Sequence, residues 1–300
     1  MTKKEKSSIA DDLLNIYSGI LFNNQNFENQ INKPIKYDFD CIEYQELIEK
    51  YELDKIAGRG SSFNRAKRLL HYLAPKLKHS SWYDNHIECN ALKLLEYSFG
   101  NDEQGINCLN KSKILEECCL ALGIYARRVS IMPFSPYDFD NHVVCEIYDE
   151  GMGKWIMLDP TTDGLFVDIN KKPLSLLEMR EKFANNDFLT FVPSINRLSD
   201  LNKLKERYSE MNAYICKNLF YFKIGLECKF GVSKDYLTFV PVGYSLKKNT
   251  IANIKYRLNH ILEEYKDMVP SLEKKLKNMN TYEEPKKVNI QVMLNLPIGN

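Results

Sequence analysis

The sequence has no CxxC pair, no internal repeat, no low-complexity tract and no apolar run near the ~20 residues needed to cross a bilayer. The missing CxxC removes paired-CxxC zinc sites. The missing apolar run removes a membrane-spanning helix. An excess of either charge is also absent. Lys plus Arg is 41 against 40 for Asp plus Glu, a formal net charge of +1. That balance excludes a generally basic nucleic-acid binder. The N-terminal MTKKEKSSIADDLLNIYSGILF starts basic, as a secretory signal would. Asp11, Asp12 and Asn15 interrupt its apolar part, and no small-residue cleavage site follows. The expectation is therefore a cytoplasmic chain, with no membrane and no nucleic-acid partner.

What is present is 8 cysteines in 300 residues: Cys41, Cys89, Cys108, Cys118, Cys119, Cys145, Cys216 and Cys228. That density is far below a disulfide scaffold, and a chain of this length buries enough core to need no staples. Periodicity predicts a helix over 9–22, with Ile9, Leu13, Ile16, Tyr17 and Ile20 on one face. Further helices are predicted at 43–56, from a Ser61 or Ser62 cap to Pro75, and at 89–98. Residues 108–122 read as an amphipathic helix with Leu115, Cys118, Cys119 and Leu122 on its inner face and Gly123 as its stop. Strands follow at 125–132, 142–149 and 154–159, the last two joined by Glu150-Gly-Met-Gly153. Beyond 165 the pattern predicts helices at 174–184, 196–213 and 251–269, strands within 219–240, and a peripheral stretch at 280–300.

Three residues fall at element boundaries where catalysis can use them. Cys108 opens a helix, where free backbone N–H groups and the dipole favour a thiolate and can hold an oxyanion. His142 starts one strand of a hairpin and Asp159 ends the other, so antiparallel pairing can bring them together as base and orienting acid. Taken alone, Cys108 reads equally as a small buried hydrophobe, and Asp159 as the start of an Asp-Pro turn. Cys118, Cys119 and Cys145 read as packing residues, and Arg127 and Trp155 as structural. His86-Ile-Glu-Cys89 has ligand-like spacing, but two ligands do not make a metal site.

The surrounding segments narrow this. Gly105-Ile-Asn-Cys108 opens a helix that closes on Leu122-Gly-Ile-Tyr-Ala-Arg127. It is followed by Asn141-His-Val-Val-Cys-Glu-Ile-Tyr148 and Lys154-Trp-Ile-Met-Leu-Asp-Pro-Thr161. In this order the segments resemble the nucleophile helix, His-strand and Asp-strand of the transglutaminase-like superfamily, in a bacterial-type single-core form. The resemblance covers residues 61–165, about a third of the chain. It implies an α+β fold with a papain/transglutaminase-like core, the nucleophile helix packed on an antiparallel sheet. Residues 1–60 would be a helical N-terminal extension. Residues 166–300 would be a mixed α/β C-terminal extension, in the same domain or apart.

The resemblance also implies acyl transfer or hydrolysis on a protein or peptide amide through a Cys108 thioester. His142 and Asp159 would complete the triad, with no cofactor and no metal. The family's oxyanion side chain is not identifiable; Gln104, Trp82 and Tyr83 are candidates, and Asn107 is a further candidate contact. The alternatives are a binding or scaffold protein that keeps this fold without turnover, and an arylamine N-acetyltransferase-like enzyme. The Asp-Pro-Thr context and the absence of an Arg-Gly-Gly-x-Cys start disfavour the latter.

Overall fold

The computed structural model describes residues 3–101, 104–187, 189–193 and 201–295. Helices lead: α1 (Lys3–Phe22), the short strand β1 (Lys36–Tyr37), then α2 (Ile42–Tyr51), α3 (Leu53–Ala57), α4 (Ser62–Leu73), α5 (Ala91–Gly100) and α6 (Cys108–Ala121). Strands follow: β2 (Ala126–Met132), β3 (His142–Asp149), β4 (Lys154–Leu158) and β5 (Gly164–Val167). The remainder is α7 (Leu176–Ala184), β6 (Thr190–Pro193), α8 (Leu201–Asn218), β7 (Tyr221–Gly225), β8 (Glu227–Cys228) and β9 (Tyr236–Phe239). It closes with α9 (Leu246–Asn259), α10 (Val269–Asn278) and α11 (Gln291–Leu294). The fold is α+β. Its main sheet is antiparallel throughout, with strand order β4-β3-β2-β7-β9. No helix among the described residues is long and apolar enough to cross a membrane.

The centre of the molecule is α6. It lies between β2 and β3 on one side and α2, α4 and α5 on the other. Asn107 caps its start by accepting from the Asn110 backbone at 3.2 Å. Its end is a Schellman motif: Gly123, at φ +71°, donates to the Leu120 carbonyl, and Ile124 donates to that of Cys119, each at 2.9 Å. The expected amphipathic helix is corrected here, because every residue from Asn110 to Leu120 is buried. The charged residues taken for a solvated side face inward and satisfy one another. Lys113 pairs with Glu116 at 2.8 Å and Glu117 at 3.1 Å, and donates to the Lys229 carbonyl at 2.6 Å. Glu117 also accepts from the first backbone N–H of α5 (Ala91, 2.6 Å) and from Gly231 (2.8 Å).

A second buried pair fastens the sheet. Arg127 on β2 donates to Glu146 on β3 at 2.6 Å and lays its guanidinium 3.8 Å from the Trp155 ring centroid. Glu146 accepts in turn from Leu176 at the start of α7, and Arg127 reaches the Met293 carbonyl at 2.8 Å. The 280–300 stretch is therefore not peripheral in its described part. Val288, Val292 and Met293 are buried in the main core. Leu21, Leu70, Phe166, Phe222 and Met293 all belong to that one continuous core.

Other expectations shift in register. The 43–56 helix breaks at Glu52, whose φ of +51° no α-helix accommodates. The 251–269 helix ends at Asn259, and only Ile254 of its apolar row is fully buried, in a small cluster with Leu272 and Met279. On α1 the buried residues are Ala10, Ser18 and Leu21, while Ile9, Leu13 and Ile16 are exposed. Ser18 meets α8, its hydroxyl 3.8 Å from the Cys216 sulfur, and Leu14, Tyr17 and Ile20 pack partly buried against the core. Part of the predicted 196–213 helix lies outside the described residues; its remainder is α8.

Removing Glu117 takes one of the two carboxylates from buried Lys113 and leaves two backbone donors without their acceptor. Glu117→Ala should cost about 3–5 kcal/mol, read as a lower urea midpoint at unchanged slope. A loss under about 1 kcal/mol would mean that the network adds no net stability.

Candidate active site

The approach to Cys108 is fixed by close backbone contact. Ser80 donates to the Ile106 carbonyl and Ile106 to that of Lys78, each at 3.1 Å. This lays residues 78–80 beside the chain entering α6. A Cβ on Gly105 would sit 2.9 Å from Ser80 Cβ and 3.2 Å from the His79 carbonyl carbon, so this approach requires glycine. Asn85 then ties the helix start, accepting from Asn107 at 3.0 Å and Asn110 at 2.8 Å. Cys108 emerges half-buried as the first residue of α6, with a free thiol.

One turn further on, Ser112 donates to the Val143 carbonyl at 2.8 Å. That bond joins α6 to β3 at the residue after His142, and so sets thiol against imidazole. His142 Nε2 meets Asp159 Oδ2 at 2.9 Å, with both side chains buried. Nδ1 is then the ring nitrogen left to face Cys108, whose negative form favours the charged imidazole.

Asp159 is held by its own turn. It exchanges backbone bonds with Gly164 at 2.8 and 3.2 Å. It also accepts from Thr161 N (2.9 Å), Thr162 N (3.3 Å) and Thr162 Oγ1 (2.6 Å). A Cβ on Gly164 would come within 2.6 Å of the Val192 carbonyl oxygen, so that turn too needs its glycine.

The electrostatics follow from burial and pairing. Burial alone would strip the proton from His142. The Asp159 carboxylate and then Cys108 outweigh it, and the imidazole is pushed up to about 10. Burial would raise Asp159, but the imidazolium and its hydrogen bonds hold the carboxyl below the usual range. Burial pushes the thiols of Cys118, Cys119, Cys145, Cys216 and Cys228 upward, so they are inert packing residues. Cys41, bonded to Glu43, is raised to about 11, and burial raises Cys89.

A cleft of about 690 Å³ opens over Cys108 and His142. Of the proposed contact residues, Asn107 and Trp82 line it, Trp82 at its rim and 85% exposed. Gln104 and Tyr83 do not line it. The Tyr83 hydroxyl is engaged by Ile87 N at 3.1 Å, and its ring packs between His86 and Tyr97. The cleft also contains Thr161 and Thr162, and residues that sequence reasoning missed: His79, Ser81, Phe139, Asp140 and Tyr214.

His79 Nε2 and Ser81 Oγ are 3.0 Å apart. Burial, with Lys111 and His142 as positive neighbours, lowers the His79 imidazole. Tyr214, from α8, sets its ring edge-on to His142 at 5.5 Å and donates to Asp140 at 3.4 Å. Thr161 and Thr162 were signalled by the Asp-Pro-Thr-Thr run. Nothing near position 214 carried a comparable signal. His86 and Cys89 take separate partners, Asp84 and Arg128. No cluster among the described residues could hold a metal ion.

No family model, curated protein or solved structure matches this chain.

An unfolded-state imidazole titrates near ~6.5. The raised value in the fold therefore stabilises the folded state fully below that pH, and the contribution is lost as pH rises through about 10. The His142 ring should remain protonated at about pH 8 by NMR, while Asp159→Asn should lower its midpoint by more than about one unit. A ring that titrates at the free-imidazole value in the unmodified protein would contradict this charge arrangement.

Proposed function

We propose that this chain is a thiol enzyme of transglutaminase-like type, acting on a protein or peptide amide. The observation that carries the reading is that Cys108, at a helix start, and His142, at a strand start, line one cleft, with Asp159 buried behind the imidazole at 2.9 Å. A papain-like arrangement, nucleophile helix against antiparallel sheet, agrees with α6 lying on β2 and β3.

In this reading the Cys108 thiolate attacks the amide carbonyl carbon. The new C–S bond places negative charge on oxygen beside the free N–H groups that open α6. The C–N bond then breaks, and the leaving nitrogen takes its proton from the His142 imidazolium. A thioester remains. His142, now neutral, accepts a proton from water or from an incoming amine as that group attacks the thioester. The product leaves and the thiolate returns. Asp159 keeps the imidazole oriented throughout and stays ionised.

Iodoacetamide at neutral pH, followed by peptide mass spectrometry, should alkylate Cys108 at least about tenfold faster than Cys41 or Cys89. His142→Ala should abolish that preference. An amide-derived acyl adduct should form on the unmodified chain and be absent from Cys108→Ala. Labelling of Cys108 no faster than of the other two would remove the enzymatic reading and favour a fold kept for binding alone.

A further inference from the structure

Lys111 is the residue that this chemistry leaves unexplained. It lies three positions after Cys108 on α6, one turn along the same face. It is buried, at 2% exposure. Its ammonium has no hydrogen bond and no ion pair within 4.0 Å among the described residues. A buried lysine with neither is costly unless the surrounding field is negative. The groups acting on it are Asp159 and Asp163, from the turn after β4, and Cys108 on its own helix. His79, on the segment beside the helix entry, faces it as well.

We propose that Lys111 is the positioning cation of the site, balancing the Asp159 carboxylate and the Cys108 thiolate through space. The inference rests on the thiol-enzyme reading and deepens it. With Asp159 ionised, His142 protonated and Cys108 a thiolate, the three groups carry one net negative charge in a buried place. Lys111 cancels it.

The same cation serves the second half of the reaction. Once the thioester forms, the sulfur is neutral, and His142 has passed its proton to the leaving nitrogen. Asp159 would then draw a proton back onto the imidazole. Lys111 opposes that pull and keeps His142 a free base for water or amine. Burial, against the attraction of these anions, brings Lys111 itself down to about 8, so it can lose its charge in alkaline solution.

The test compares Lys111→Met, which keeps the length without the charge, with Lys111→Arg, which keeps the charge. Cys108 alkylation at about pH 7 should fall about tenfold in Lys111→Met, the equivalent of one pH unit. It should converge on the unmodified protein in alkaline solution, and Lys111→Arg should recover it to within about threefold. A Lys111→Met profile that superimposes on the unmodified one, in protein with an unchanged circular dichroism spectrum, overturns the proposal.

A second measurement needs no variant. In protein carrying isotope-labelled lysine, NMR should show the Lys111 midpoint fall by about one unit when iodoacetamide converts the thiolate to a neutral thioether. An unchanged midpoint also overturns the proposal. Unselective labelling of Cys108 in the unmodified chain would sink the enzymatic reading itself. Selective labelling that ignores Lys111 would sink only this inference.

Discussion

The complete burial of α6 is the constraint on which the rest depends. A helix enclosed on every side cannot send its charged residues to water, so each must find its counterpart inside. Lys113, Glu116 and Glu117 do so within one turn and then reach outward to α5, Lys229 and Gly231. The outward bonds fix both the depth and the rotation of the helix. Ser112, on the same helix, can then meet the Val143 carbonyl. What remains accessible is the helix start, and that is where Cys108 stands. The position of Cys108 is thus a consequence of how the helix's middle is satisfied.

Charge along this helix is ordered in two tiers. Deep in the core, Lys113 and the two glutamates pair at contact distance, where direct hydrogen bonds offset the cost of burial. Nearer the cleft, Lys111 has no contact partner and is surrounded at longer range by Asp159, Asp163 and Cys108. The first tier suits a rigid core. The second suits a place where charge must appear and vanish, because a through-space field does not have to break a hydrogen bond when a neighbouring proton moves. His142 lies between the tiers in character. It is buried like the core, and it is raised because a fixed carboxylate outweighs its desolvation.

Much of the local chemistry was legible in the sequence. The Gly123 stop, the β3–β4 hairpin and the boundary positions of Cys108, His142 and Asp159 follow from short-range rules about caps, turns and alternation, whereas Asn107, read as a candidate contact, proved to be the helix cap. The burial of α6 was not, because periodicity reports where apolar residues stand and not how many neighbours cover the other side. Lys111, Lys113, Glu116 and Glu117 look like a solvated face until α5, β8 and the turn after β4 close over them. The same holds on α1, where Ala10 and Ser18 are buried while Ile9, Leu13 and Ile16 are exposed. Tyr214 escaped notice because its relation to His142 exists only through long-range packing, and Phe139, three residues before His142, because its loop carries no periodic signal.

Those two residues also divide the labour of the chain. The segment resembling a known family supplies Cys108, His142, Asp159 and every lining residue of the cleft but Tyr214, yet part of that wall is held from outside it. Phe139 sits on the loop between β2 and β3, and the C-terminal segments clamp that loop. Asn249 and Tyr244 donate to the Phe134 carbonyl, Asn253 donates to that of Pro136 at 2.8 Å, and Lys217 pairs with Asp138 at 2.9 Å. Tyr214 comes from α8 directly. Whether a thioester meets water or an amine depends on what can enter while it exists, and that is decided by the walls. In this fold α8 supplies Tyr214 to the wall and α9 steadies the loop that carries Phe139, while Cys108 and His142 belong to α6 and β3. A change in the C-terminal half can therefore alter what reaches Cys108 without moving the atoms that would do the chemistry.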